Sequence, residues 1–348
     1  MFKKISIAFA AVLGLMVAWI LSVVVPVSGK FQALDPKLVE RCMKVPVHAG
    51  TEDVVIDRAT GVAFVSATDR RRTVRDNAND GIYAFALSDP SAVIRVSPNN
   101  MPDFHPHGIS LWQDAGETRL FAISHTAAGA HSVEIFSVGV AGALEHLESI
   151  SFDAMYLPND VVAVGPRSFY ASNSRGYKSG VLSVLEQFFA LPWASAVYFD
   201  GREGRLIKDR LVYANGINLS PDGGILYIAE VLKRRISAFD RNAETGALTG
   251  RSTIDLNTAP DNFDVDENGN LWIAGHTRIF DYAAHTRDAN VDAPSHIVKV
   301  DPKTLERSDV FVSTAGEINA ASIGAMHNNT LIVGAVLDGH VMVCPLPE

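Results

Sequence analysis

Apolar residues along most of this chain come in short runs cut by Gly, Pro, Asn and Asp, with little helical periodicity. Runs of that kind, rich in β-branched and aromatic residues, predict short buried strands. They also repeat as a unit. A polar pair leads into an apolar strand, a turn follows, then a strand of the type "LYIA" and a third of the type "AFD". The opening segments are "TEDVVID" (51–57), "PHGISLW" (106–112), "PNDVVAV" (158–164), "ANGINLS" (214–220), "PDNFDVD" (260–266) and "NAASIGA" (319–325). Second strands follow as "VAFVSA", "LFAISH", "SFYASN", "LYIAEV", "LWIAGH" and "LIVGAV", and third strands as "IYAFAL", "VEIFSV", "AVYFD", "ISAFDR", "IVKVD" and "VMVCPL". Six such units, at spacings of roughly 45–60 residues, have the size of propeller blades. The pattern predicts an all-β, six-bladed β-propeller. A pair of β-sandwiches is the alternative, but six like units in series suit a closed ring better.

Three segments break the rhythm. After Lys3-Lys4, the stretch from Ile5 to Val27 carries no charge. A signal-peptide core has about 7–15 apolar residues and a membrane span needs about 20, so a retained N-terminal anchor is expected over a cleaved signal. The chain then divides into a signal or anchor segment, 1–30, and a propeller, 31–348. The propeller would lie on the extracytoplasmic side of a membrane, or be secreted if the signal is cleaved. "SGVLSVLEQFFALPW" (179–193) suits a short covering helix near 181–191, either packed on one end of the ring or forming a lid or membrane-facing patch. "TDRRRTVRDNANDG" (68–81) is a basic loop within the first unit.

Composition adds limits. The 348 residues are 47% hydrophobic and 20% charged, enough for a large core, and the net charge of −9 is spread along the chain. That balance argues against nucleic acid as a partner. The two cysteines, Cys42 and Cys344, stand near the two ends of the folded part. In an exported chain they suggest a disulfide closing the ring, with two unrelated buried thiols as the alternative.

The polar pairs are the candidate chemistry. First strands of propeller blades line the central tunnel, so the pairs Glu52-Asp53, His107-Gly108, Asn159-Asp160, Asn215-Gly216 and Asp261-Asn262 point toward one axis. Any single Asn or Asp there reads as a turn residue. Four blades offering oxygen donors at one register suit a hard cation, calcium better than magnesium. Alternating side-chain direction sorts them into one set of Glu52, Asn159 and Asn215, joined by Asp261 and Asn262, and another of Asp53 and Asp160. Each set carries two formal charges, matching one Ca²⁺ apiece. Of the 11 histidines, His107 occupies the pair position of unit two. His125 ends that unit's second strand, and His276 ends the second strand of unit five.

With "GTEDVVI", "HPHGIS", "LPNDVVAVGP", "YANGINLSPDG", "LYIAE", "DNFDVD" and "LWIAGH" in order, the chain from about Cys42 to Cys344 resembles the serum paraoxonase/arylesterase family. The resemblance implies a calcium-dependent hydrolase of lactones, with promiscuous action on aryl esters and organophosphate triesters. It implies two Ca²⁺ per chain. Glu52, Asn159, Asn215, Asp261 and Asn262 would hold the catalytic ion; Asp53, Asp160 and the Ile109 carbonyl would hold the structural one. It further implies a His107–His125 dyad, pocket walls at His276 and Tyr213, a Cys42–Cys344 disulfide and membrane contact through the N-terminal segment. The chain departs from the family around the pocket, in "TDRRRTVRDNANDG" and "SNSRGYKSG". A sugar lactonase of the gluconolactonase type, with one metal, and a non-catalytic propeller with purely structural calcium are the competing expectations.

Overall fold

The computed structural model describes residues 2–71, 79–101 and 103–347. Among the described residues, twenty-four strands form six four-stranded antiparallel sheets, each built from strands that follow one another in the chain, except at the seam. The first strands are Thr51–Asp57, Pro106–Asp114, Pro158–Ala163, Ala214–Leu219, Ala259–Val265 and Ala321–His327. They contact one another all the way round, blade six closing on blade one. The expected six-bladed propeller is the observed fold.

The seam mixes the two ends of the chain. Met43–Pro46 pairs antiparallel with His340–Pro345, so an N-terminal strand completes the last blade. The Cys42–Cys344 disulfide lies beside this pairing and joins residues 302 apart. In the chain-entropy account, closing so long a loop stabilises the fold by about 5 kcal/mol.

The core is a ring of blade-to-blade interfaces. Phe121, Ile123 and Ile135 of blade two pack with Val161, Phe169 and Val197 of blade three, and five further clusters repeat the arrangement around the axis. Sheets twist, so stacking their apolar faces face to face closes a circle. The repeat read from the sequence holds three strands per unit; the structure adds a fourth. These outer strands, such as Asp89–Arg95 and Leu248–Asp255, are exposed or half-buried over most of their length. Their pairing comes from backbone hydrogen bonds to a buried neighbour, which leaves little pattern in the sequence.

Every first strand is bulged at its opening. In blade three Pro158 pairs with Asn173 and Val161 with Ala171, so Asn159 and Asp160 together face one residue, Ser172. Blades two, four and five do the same at His107-Gly108, Asn215-Gly216 and Asp261-Asn262, while blades one and six carry one extra residue, Glu52 and Ser322. A bulge breaks strict alternation and re-aims side chains. In blades two to five it sets both members of a polar pair opposite a single partner residue.

The N-terminal segment differs from expectation. Its continuous helix, Phe2–Trp19, gives way to a π-helical turn, Ile20–Val24, and a short helix, Val25–Ser28. Among the described residues no helix is long and apolar enough to cross a membrane. At ~1.5 Å rise per residue, the first helix falls short of a bilayer core of about 30 Å, and two lysines stand in its first turn. The covering helix forms at Gly180–Phe189, but with its polar residues inward: Ser183 and Glu186 are buried while Val181, Val184 and Phe188 are exposed. Trp19 lies against Phe188 and Phe189, with ring centroids 4.3 and 5.4 Å apart. Residues 72–78 of the basic loop lie outside the described residues.

Candidate active site

The bulged pairs meet at one end of the tunnel, and the glycines among them show how closely. A Cβ on Gly108 would sit 2.3 Å from Asp160 Oδ1 and 2.8 Å from the Asn159 carbonyl oxygen. One on Gly216 would sit 2.7 Å from the Asp261 carbonyl oxygen. Blades two and four therefore yield space at the second pair position so that blades three and five can place their donors.

Those donors fall into two kinds. Glu52 Oε2, Asn159 Oδ1, Asn215 Oδ1 and Asn262 Oδ1 are buried without a hydrogen-bond partner. Each oxygen thus lacks a hydrogen bond, a cost of about 1–3 kcal/mol per group unless something electropositive joins them, and Glu52 Oε2 has a cation near it, the Arg70 guanidinium at 4.0 Å. Neighbouring groups orient them: Asn262 Nδ2 donates to Glu52 Oε1 at 3.1 Å, and His276 Nε2 bonds Asp261 Oδ2 at 2.9 Å. Burial would raise the Glu52 carboxyl, but the His107 and Arg70 charges and the bonds from His107 and Asn262 hold it below the usual carboxylate range. All-oxygen donors, two carboxylates and three amides, fit a calcium-sized cation. Among the described residues no three His, Cys, Asp or Glu side chains gather as a metal cluster.

The second kind is already bonded. Asp53 takes the N–H groups of Val54 and Ile109, and Asp160 those of Val161 and Ile217, all at 2.7 to 2.8 Å. Burial drives both carboxyls well above their ordinary range, aided at Asp53 by the Asp160 and Glu52 charges and at Asp160 by Glu52 and Asp261. The four backbone N–H groups work the other way, favouring the ionised carboxylates. Asp53 and Asp160 line a small tunnel cavity of about 100 Å³ together with Ile109.

The histidines form a chain. His107 Nε2 lies 3.1 Å from Glu52 Oε1, and His107 Nδ1 lies 2.8 Å from His125 Nε2. His125 Nδ1 in turn meets Nδ1 of His131 at 2.7 Å. The expected pair is therefore three imidazoles long. His131 opens the third strand of blade two, opposite His125. Its sequence signal was cross-strand register, six residues after His125 through a tight turn. These three, with Asn159 and Tyr213, line one open cleft of about 680 Å³. A larger cleft of about 750 Å³ at the outer turns of blades four and five holds none of these groups.

His276 is placed beneath the cleft and not on its wall. It is buried, bonded to Asp261 and stacked on Tyr282 at 3.9 Å. Burial raises the Tyr282 phenol far above its ordinary value, so it stays neutral there. Tyr213 does line the cleft, from a left-handed backbone conformation (φ 50°) that is strained for a non-glycine residue.

The profile of the arylesterase family matches residues 88–346 of the chain. Serum paraoxonase/arylesterase 2 of Gallus gallus is 29% identical over 87% of this chain and 88% of its own length. Serum paraoxonase/arylesterase 1 of Homo sapiens is 29% identical, covering 83% and 84%. Among solved structures, a luciferin-regenerating enzyme superposes with a TM-score of 0.57 at 16% identity, covering 88% of this chain and 94% of that one. A regucalcin, a calcium-binding protein from Agrobacterium tumefaciens, gives 0.53 at 14%, covering 90% and 94%. These structural likenesses carry the fold alone. The family match spans blades two to six, and this chain belongs to the arylesterase family, whose relatives support an ester-cleaving hydrolase.

Proposed function

We propose that this chain is a calcium-dependent lactonase that also hydrolyses aryl esters and, promiscuously, organophosphate triesters. The observation that carries it is the set of buried, unbonded oxygens from four blades, of which Asn159 lines an open cleft together with His107. Glu52, Asn159, Asn215, Asp261 and Asn262 would hold one calcium; Asp53, Asp160 and the Ile109 carbonyl would hold a second. When bound, calcium supplies the positive charge that stabilises negative charge developing on the substrate's carbonyl oxygen.

The rest falls to the side chains. His107 takes a proton from the attacking water at Nε2. For that, His107 must carry its own proton on Nδ1 and donate it to His125 Nε2. His125 then donates from Nδ1 to His131. A neutral imidazole has one N–H, so His131, as the final acceptor, sets the polarity of the whole chain. The opposite polarity, with His107 Nε2 donating to Glu52, holds His107 out of use.

Domain boundaries and export remain part of this reading: a leading segment over residues 1–30, a propeller over 31–348, and an oxidising compartment, supported by the disulfide. Turnover of aliphatic lactones and phenyl esters, measured with and without a chelator alongside metal content, tests it. Chelator-sensitive hydrolysis restored by calcium is expected, with two ions per chain; one ion would favour the gluconolactonase type. No hydrolysis of any lactone would sink the enzyme reading.

A further inference from the structure

The stretch "SNSRGYKSG" runs into the cleft wall and gives it a charge. Arg175 and Lys178 both line the cleft beside His107 and Asn159, and no aspartate or glutamate lines it among the described residues. Arg175 is half-buried, and its Nε is buried without a hydrogen-bond partner. Its Nη1 donates to Ser183 Oγ at 3.1 Å, a neutral partner on the covering helix. Glu186 on that helix accepts instead from the N–H groups of Gly176 and Tyr177. Lys178 Nζ is likewise bonded only to a neutral group, the Gly129 carbonyl, at 2.9 Å. Partly buried arginines are ordinarily paired with carboxylates. Here, among the described residues, two cations without one face the cleft of a protein of net charge −9.

We infer that the cleft selects lactones that carry a carboxylate, the anionic group seated on Arg175 and Lys178 while the ring carbonyl faces the oxygen-donor floor. The inference rests on the proposed calcium sites, because two divalent ions neutralise Glu52, Asp53, Asp160 and Asp261 and leave the cleft net positive. A planar guanidinium matches a carboxylate through two parallel hydrogen bonds, which an ammonium cannot reproduce. Lys178, more exposed, adds attraction that salt weakens.

The test uses the full chain supplied with calcium and two lactones of one skeleton, γ-carboxy-γ-butyrolactone and its neutral counterpart γ-methyl-γ-butyrolactone. The expected kcat/KM ratio favours the carboxylate by at least about tenfold at low ionic strength, the worth of one good charged contact, and shrinks as salt rises. Arg175→Met is expected to bring the ratio toward unity, Arg175→Lys to keep part of it, and Lys178→Met to lower it less. The ratio cancels any general loss of activity or folding. Equal rates in the unmodified chain, or a preference that Arg175→Met leaves untouched, would overturn the inference. A second arm is independent of turnover: calorimetric binding of cyclopentanone carboxylate, which has no ester bond to cleave, against methylcyclopentanone. Arg175-dependent binding without turnover of either lactone would retain the anion site and refute the hydrolase reading. Turnover of the neutral lactone with no Arg175-dependent binding would do the reverse.

Discussion

Two sets of oxygen donors lie next to each other in this propeller and are built on opposite terms. On the cleft side, Glu52, Asn159, Asn215 and Asn262 each leave an oxygen buried and unbonded. On the tunnel side, Asp53 and Asp160 spend every carboxylate oxygen on backbone N–H groups of their own and a neighbouring blade. The first arrangement keeps coordination in reserve for something that arrives. The second ties blade one to blade two and blade three to blade four, whatever else binds. On the proposed function, catalysis would draw on the unsatisfied set and cohesion on the satisfied one, although both come from the same bulged pairs.

The comparison is open to breaking, most sharply at Glu52. Glu52→Gln removes a charge that the reserved set depends on, so kcat/KM on a neutral lactone should fall on the order of 10²–10³-fold while cooperative unfolding persists. A variant that keeps its activity would remove Glu52 from the site. Asp53→Asn puts an amide where two N–H groups converge; one is left without an acceptor, and stability should fall by about 1–3 kcal/mol in chemical denaturation. If Asp53→Asn instead abolished turnover with no loss of stability, the division between the two sets would be misdrawn.

A third carboxylate, outside both sets, serves as a control. Burial would raise Asp80, yet hydrogen bonds from His105, His48 and the Asp69 N–H, together with the His105 charge, hold it well below the usual carboxylate range. A depressed carboxyl contributes stability that is fully present above its unfolded value of about 4 and is lost as pH falls through the folded value. Acid unfolding below about pH 4 should therefore weaken in Asp80→Asn, whose stability at neutral pH is lower by about 1–2 kcal/mol. A chelator should leave this acid limb unmoved; a shift would couple Asp80 to the ion sites. The smallest effect belongs to His131. His131→Phe should lower kcat about tenfold with KM nearly constant, less than the ~10²–10⁴-fold of a general base itself, and His131→Asn should recover part of the loss. Equal loss in both variants would make His131 a packing residue.

The blades, their number and the polar pairs were all legible in the residue order. Burial of an apolar strand is a local property, and a hydrophobic run written six times records it directly. The two cysteines were legible for a related reason, since their positions bracket the repeats and a ring must be closed where its ends meet. The outer strands left no comparable mark, because solvent accepts almost any polar residue on an edge. His131 stayed hidden among eleven histidines until strand register set it opposite His125. The N-terminal stretch read as a span because hydropathy counts apolar residues and does not register where the helix changes pitch after Trp19.

Residue order alone thus marked the six blades and the polar pairs that open their first strands. The folded structure settled the rest: the bulge at each polar pair, the glycines that yield space at Gly108 and Gly216, and the cations of a loop that line the cleft. Apolar burial is encoded strand by strand, whereas an oxygen's freedom from hydrogen bonds depends on every neighbour at once.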